Sequence, residues 1–103
     1  MIFNFNFNWD INKAISNKKK HKIAFEEAID VFKDPQALTI YDEDHSANEE
    51  RWITLGICSI SKVLLVVHTY VEYNDTQADI RIISARNATN KEKATYKGDI
   101  DER

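Results

Sequence analysis

The stretch Asp79-Ile80-Arg81-Ile82-Ile83-Ser84-Ala85-Arg86 leaves this chain the fewest options. Its β-branched residues favour a strand. Asn87-Ala88-Thr89-Asn90-Lys91-Glu92 follows directly. Thr89 with Glu92 three residues later has the form of a capping box, in which hydroxyl and carboxylate satisfy each other's backbone N–H groups. A strand must therefore hand over to a helix opening near Lys91, and the rest of the chain must pair with or pack on that unit. Arg81 and Arg86, with Lys91, Lys93 and Lys97, make a local basic surface there.

Earlier in the chain, Phe3, Phe5, Phe7 and Trp9 alternate with Asn4, Asn6 and Asn8. Strict alternation marks a half-buried strand, and asparagine, a poor strand former, suits an edge. Asp10 can cap a helix whose stripe is Ile11, Ala14 and Ile15 and whose end is Lys18-Lys19-Lys20-His21-Lys22, cations where the helix dipole favours them. A second helix is expected from Phe25 to Lys33, with Phe25, Ala28, Ile29 and Phe32 inward and Asp34-Pro35 as its stop.

Strands follow at Ala37 to Asp42, Arg51 to Ser59 and Lys62 to Glu72, with an acidic loop from Glu43 to Glu50 and a hairpin turn at Ile60-Ser61. Tyr73 to Ala78 leads into the last strand. Asn90 to Lys97 closes as a helix, with Gly98 as its C-terminal stop. The order β-α-α-β-β-β-α implies an α+β fold: an antiparallel meander with two N-terminal helices on one face and a C-terminal helix. Length implies a single domain over 1–103, with a frayed tail at 99–103.

This turn position sets Arg51 opposite Tyr70, then Tyr70 opposite Arg81, with Asp42 beside Arg51. The core face then carries Leu38, Ile40, Ile53, Leu55, Leu64, Val66, His68 and Ile83. The more polar face carries Thr39, Trp52, Thr54, Ser84 and Arg86. A slip of one residue would exchange these assignments.

Composition excludes several classes. The hydrophobic fraction of 43% and charged fraction of 30% fit a folded globule. No apolar run approaches the roughly 20 residues of a membrane helix, so no membrane association is expected. One cysteine, Cys58, cannot form an internal disulfide, and the chain reads as cytosolic. A net charge of −3 argues against indiscriminate nucleic-acid binding. The three histidines and Cys58 lack a paired spacing, so no metal is expected. Two glycines cannot build a phosphate-cradling loop, and no cofactor is expected.

Composition and periodicity alone place the chain no more narrowly than a small cytosolic α+β domain. If its basic surface acts on RNA, metal-independent cleavage needs a base for the ribose 2′-hydroxyl, cations for the growing phosphate charge, and an acid for the departing 5′ oxygen. Arginine suits the cationic role because its fork matches phosphate oxygens and stays charged. Arg81 and Arg86 are the first candidates and Arg51 is a third. The alternative for each is a structural ion pair, such as a ladder of Asp42, Arg51, Tyr70 and Arg81. His45, in the acidic loop beside carboxylates, is a candidate acid, or else a loop-tethering residue. His68, in an apolar strand, fits a hydrogen-bonded core histidine. Lys93 could approach the sheet.

Taken together, Arg81-Ile82-Ile83-Ser84-Ala85-Arg86, Glu50-Arg51-Trp52-Ile53-Thr54-Leu55-Gly56 and Val67-His68-Thr69 resemble the BrnT toxins. So do Trp9-Asp10, and Lys20-His21 with Phe25-Glu26-Glu27-Ala28. The resemblance runs from about Phe7 to Tyr96. It implies the ribonuclease half of a bacterial type II toxin–antitoxin pair, with a RelE-like fold. The activity implied is metal-independent endonucleolytic RNA cleavage that arrests translation and growth. The implied partner is a BrnA-like antitoxin in a hetero-oligomer, with operator DNA touched only through the antitoxin. It adds Lys20 and His21 to Arg81, Arg86, Arg51 and His45 as catalytic candidates; Arg86, Lys91, Lys93 and Lys20 are the candidates for RNA contact. A second reading keeps the fold but drops cleavage, leaving a non-catalytic interaction module of a toxin–antitoxin complex. The acidic balance and the lack of an unmistakable acid–base pair fit it.

Overall fold

A computed structural model describes residues 4–98. Phe3 of the expected first strand and the expected tail at 99–103 lie outside the described residues. The elements are β1 (Asn4–Asn8), α1 (Ile11–His21), α2 (Phe25–Ile29), β2 (Leu38–Tyr41), β3 (Trp52–Ile57), β4 (Val63–His68), β5 (Val71–Glu72), β6 (Gln77–Asn87) and α3 (Asn90–Lys97). The α+β class holds. Strands β2, β3, β4 and β6 form the antiparallel meander, and β1 adds to β6 in parallel, so the sheet is mixed, in the order β1-β6-β4-β3-β2. The short β5 pairs with β6.

Local chemistry sets the helix ends. The Asp10 carboxylate accepts from the N–H groups of Asn12 and Lys13, and the last turn carries the basic residues Lys18, Lys19, Lys20 and His21. The expected second helix is α only to Ile29 and tightens to a 3-10 turn from Asp30 to Lys33 before Pro35. Thr89 and Glu92 form the capping box of α3, and Gly98 closes it at φ 76°.

Of the stripe expected on α1, Ala14 packs against the core but the two isoleucines do not. Ile11 and Ile15 are 65% and 52% exposed, whereas Asn17 is buried. Beyond Asn8, β6 has no strand partner on that side, and the Asn17 amide takes its place. Its Nδ2 donates to Ala85 O and Ile23 O, and its Oδ1 accepts from Ala85 N–H. A buried strand edge needs such pairing.

The register also departs from expectation. Trp52 faces His68 and Ile53 faces Val67, one residue off the assignment that set Arg51 opposite Tyr70. Thr69 is the residue that bonds Arg81, through its N–H to Arg81 O. Ile53 and Leu55 therefore join Leu65 and Val67 on the face away from α1 and α2. Thr54 and Gly56 join Leu64, Val66 and His68 beneath the helices. Asp42 does lie beside Arg51, its N–H donating to Arg51 O. Two clusters result. The larger joins Ile23, Phe25 and Val31 to Leu64, Ile80 and Ile82. The smaller packs Leu55, Val63, Leu65 and Ala88 against Tyr96 of α3.

A bulge between Val67 and His68 leaves Ile83 as the extra residue of β6. Before it, Ile80 and Ile82 point under the helices. After it, Ala85 does, and Ser84 and Arg86 turn to the other face. Arg81, on alternation with Ile80, already faces that way.

Gly56 is where the 3-10 turn rests on β3. A Cβ there would lie 2.8 Å from Val31 Cβ and 3.0 Å from Val31 O. We expect Gly56→Ala to cost about 1–3 kcal/mol, because backbone cannot give way cheaply. Urea unfolding measures it, and a loss below about 0.5 kcal/mol would contradict this packing.

Candidate functional site

On the face away from α1 and α2, a groove of about 490 Å³ runs between β3, β4, β6 and the loop after β2. Arg51, Arg86, His45, Asp42, Asp44, Ser84 and Glu92 supply its polar lining, and Ile53, Leu65 and Val67 its floor.

The loop is closed by its own backbone and one hydroxyl. Arg51 N–H donates to Ser46 Oγ at 3.0 Å, and Ser46 Oγ donates to Asp42 O at 2.6 Å. This fixes Asp42, which is buried, with its carboxylate turned to His45: both oxygens lie 3.1 Å from His45 Nδ1. A carboxylate accepts, so Nδ1 carries the proton and Nε2 is the free ring nitrogen. The His45 side chain is 68% exposed, open to a ligand in the groove. Arg51 Nε is buried with no hydrogen-bond partner among the described residues. An unmet buried donor is costly.

Arg86 is oriented by Glu92. Its Nη1 lies 2.8 Å from Glu92 Oε1 and its Nη2 3.0 Å from Glu92 Oε2, while Nη1 also donates to Asn87 O at 3.2 Å. Nε–H and the second Nη2 hydrogen have no partner among the described residues. Glu92 thus serves two structures, since its Oε1 also accepts the Thr89 N–H of the capping box.

The Arg86 bond, supported by Thr89, holds the Glu92 carboxyl at about 2, below its ordinary 4.5, despite the opposing effect of burial. A depressed folded value gives stability that is complete above the unfolded value and lost as pH falls through the folded one. We expect a loss on the order of 1 kcal/mol between about pH 4.5 and 2, allowing for partial exposure. Glu92→Gln should remove that share of the acid dependence in unfolding titrations. An unchanged profile would show that the pair contributes nothing.

Other candidates sit elsewhere. Arg81 shares the face but occupies a neighbouring depression with Glu50, Thr69 and Asp79, where Glu49 binds its Nη2. An ion pair does hold Arg81, but its partner is Glu49 and not a member of the expected ladder. Lys20 and His21 end α1 and do not line the groove. Lys91 is exposed on α3, and Lys93 lines a third depression with Lys62 and Tyr96. Tyr96 donates to Asp34 Oδ2 at 2.5 Å, and burial together with that carboxylate pushes its hydroxyl up to about 12. His68 is a core histidine, bonded to Thr54 and Thr69. Among the described residues, no group of three His, Cys, Asp or Glu could hold a metal ion, and no helix is long and apolar enough to cross a membrane.

The sequence reading did not include Asp42 or Glu92 among the site residues. Asp42 was legible as a neighbour of Arg51, but not as the holder of His45. Glu92 was legible as a cap, but its reach to Arg86 crosses a strand-to-helix turn that no periodicity describes.

The family model described as "Ribonuclease toxin, BrnT, of type II toxin-antitoxin system" matches residues 9–92. No curated protein sequence gives a significant match. Among solved structures, the fold is similar to the crystal structure of the Brucella abortus ribonuclease toxin BrnT, with a TM-score of 0.61 and 18% identity. That likeness covers 84% of this chain and 100% of that one.

Proposed function

The chain belongs to the BrnT family, the ribonuclease toxins of type II toxin–antitoxin systems, and on that premise we propose that it cuts RNA endonucleolytically, without a metal, in the groove of Arg51, Arg86 and His45. The observation supporting this is the convergence of two arginines and one exposed imidazole in a single groove.

The scissile phosphate lies between Arg86, through its free Nε and Nη2 hydrogens, and the Arg51 guanidinium. His45 Nε2 takes the proton of the ribose 2′-hydroxyl as that oxygen bonds to phosphorus. Asp42 stabilises the resulting imidazolium through Nδ1–H. The bond from phosphorus to the 5′ oxygen breaks, and the imidazolium returns its proton to that oxygen. The products are a 2′,3′-cyclic phosphate and a 5′-hydroxyl, with no net proton change. The arginines stabilise charge that grows only in the transition state. Arg81, paired to Glu49 beside the groove, and the lysines at 20, 91 and 93 contact flanking backbone, not the reacting phosphate.

In the cell this activity arrests translation, and a BrnA-like antitoxin holds it silent in a hetero-oligomer that reaches operator DNA through the antitoxin. The acidic loop from Asp42 to Glu50 suits a basic antitoxin segment. The test is total RNA incubated with antitoxin-free protein, then with equimolar antitoxin. Cutting that stops on adding antitoxin is expected. A folded protein that binds antitoxin but leaves RNA intact would favour the non-catalytic module.

A further inference from the structure

The sheet has a second concavity, on its helix-covered face. The 3-10 turn from Asp30 to Lys33 rests on β3 at Gly56, and farther along the strand Thr54 and Trp52 line open space. A pocket of about 390 Å³ opens there, walled by Phe5, Phe32, Trp52 and Tyr70 over a floor that includes His68. The aromatic rings meet edge to face: Phe5 with Phe32 and with Tyr70 at 6.4 Å, and Phe32 with His68 at 4.8 Å. Such a wall suits a flat ring.

A directed chain of hydrogen bonds crosses the pocket. Thr39 Oγ1 lies 2.8 Å from Thr54 Oγ1, which lies 2.8 Å from His68 Nε2. His68 Nδ1 lies 2.9 Å from Thr69 O. A carbonyl only accepts, so Nδ1 carries the hydrogen. Burial pushes the imidazole toward its neutral form, despite the opposing backbone bond. Nε2 therefore accepts, Thr54 donates to it, and Thr39 donates to Thr54. The chain ends at Thr39 Oγ1, whose hydrogen is spent and whose lone pairs can only accept. Thr39 is exposed on the sheet's edge strand and lines the pocket. Trp52 Nε1 in the same wall is buried with no partner among the described residues.

We propose that this pocket binds a small planar aromatic molecule that stacks among Phe5, Phe32, Trp52 and Tyr70 and donates one N–H or O–H to Thr39 Oγ1. The site lies across the sheet from the arginine groove and does not depend on the ribonuclease reading. Because β3 carries Trp52 next to Arg51, an occupant braces the strand that also supplies the groove.

The test is titration of the full chain with indole and with indene, a ring system of the same size that has no N–H donor. Heteronuclear NMR follows the Trp52 indole N–H, with that of Trp9, outside the pocket, as the internal control. Indole should shift the Trp52 signal saturably, leave Trp9 in place, and bind about fivefold more tightly than indene, one neutral hydrogen bond. Thr39→Val keeps the β-branched shape and should make the two probes equal. No saturable shift with indole, or indene binding wild type as tightly as indole, would overturn the proposal.

Discussion

Arg86→Ala should lower RNA cleavage by about 10²–10³-fold, the range found when one preorganised charge stabiliser is removed. Arg86 is held by Glu92 on one edge and presents its remaining donors to the groove. Alanine removes the cation while the groove floor of Ile53, Leu65 and Val67 stays. Because the ion pair is partly exposed, the variant should lose no more than about 1 kcal/mol of stability, so lost activity cannot be lost folding. Arg86→Lys should recover only part of the rate, because an ammonium cannot span both Glu92 oxygens and a phosphate. His45→Ala should fall less far, about 10²-fold, the lower part of the range for a positioned acid–base group. Single-turnover cleavage of a short RNA measures all three. An Arg86→Ala protein that cuts within threefold of wild type would remove Arg86 from the chemistry.

Asn17→Leu should cost about 3 kcal/mol or more. The leucine has a similar volume, but it leaves Ala85 N–H, Ala85 O and Ile23 O buried without the amide that now bonds all three. Each unsatisfied buried group costs about 1–3 kcal/mol. Against a typical domain stability of about 5–15 kcal/mol, that is a large fraction. Chemical denaturation would show a lower midpoint at unchanged slope. A loss under about 1 kcal/mol would mean that water replaces the amide and that the β6 edge is not sealed by α1.

Asn17 also marks where the sequence stops being informative. It sits beside an apolar stripe at helical spacing of which Ala14 meets the core while Ile11 and Ile15 are exposed. The helix itself was legible because Asp10 and the terminal cations act locally. Its docking side was not, because that side is chosen by an unpaired strand distant in the sequence. The capping box at Thr89 and Glu92 likewise reads directly from spacing.

The strand register illustrates the same limit. Val63 to Val67 is apolar at every position, and the sheet buries residues on both faces, so no alternation selects which residues lie under the helices. The one-residue difference placed Ile53 and Leu55 on the groove side and Thr54 beside His68. The bulge at Ile83 brought Arg86 onto the face already occupied by Arg81 and Arg51. From the sequence, the residue types of the candidate site could be listed. Their grouping depended on a register and a bulge that the residues encode only collectively, and the holders Asp42 and Glu92 depended on that grouping.

Whether the groove cuts RNA with protein groups alone is decided by cleavage of a defined RNA by antitoxin-free wild-type protein in excess EDTA, with the chemistry of the new ends determined. An undiminished rate is expected, with 2′,3′-cyclic phosphate and 5′-hydroxyl ends, and no cutting where the scissile ribose is replaced by 2′-deoxyribose. Cleavage abolished by EDTA and restored by a divalent cation, or ends bearing a 5′-phosphate, would contradict cleavage by protein groups alone.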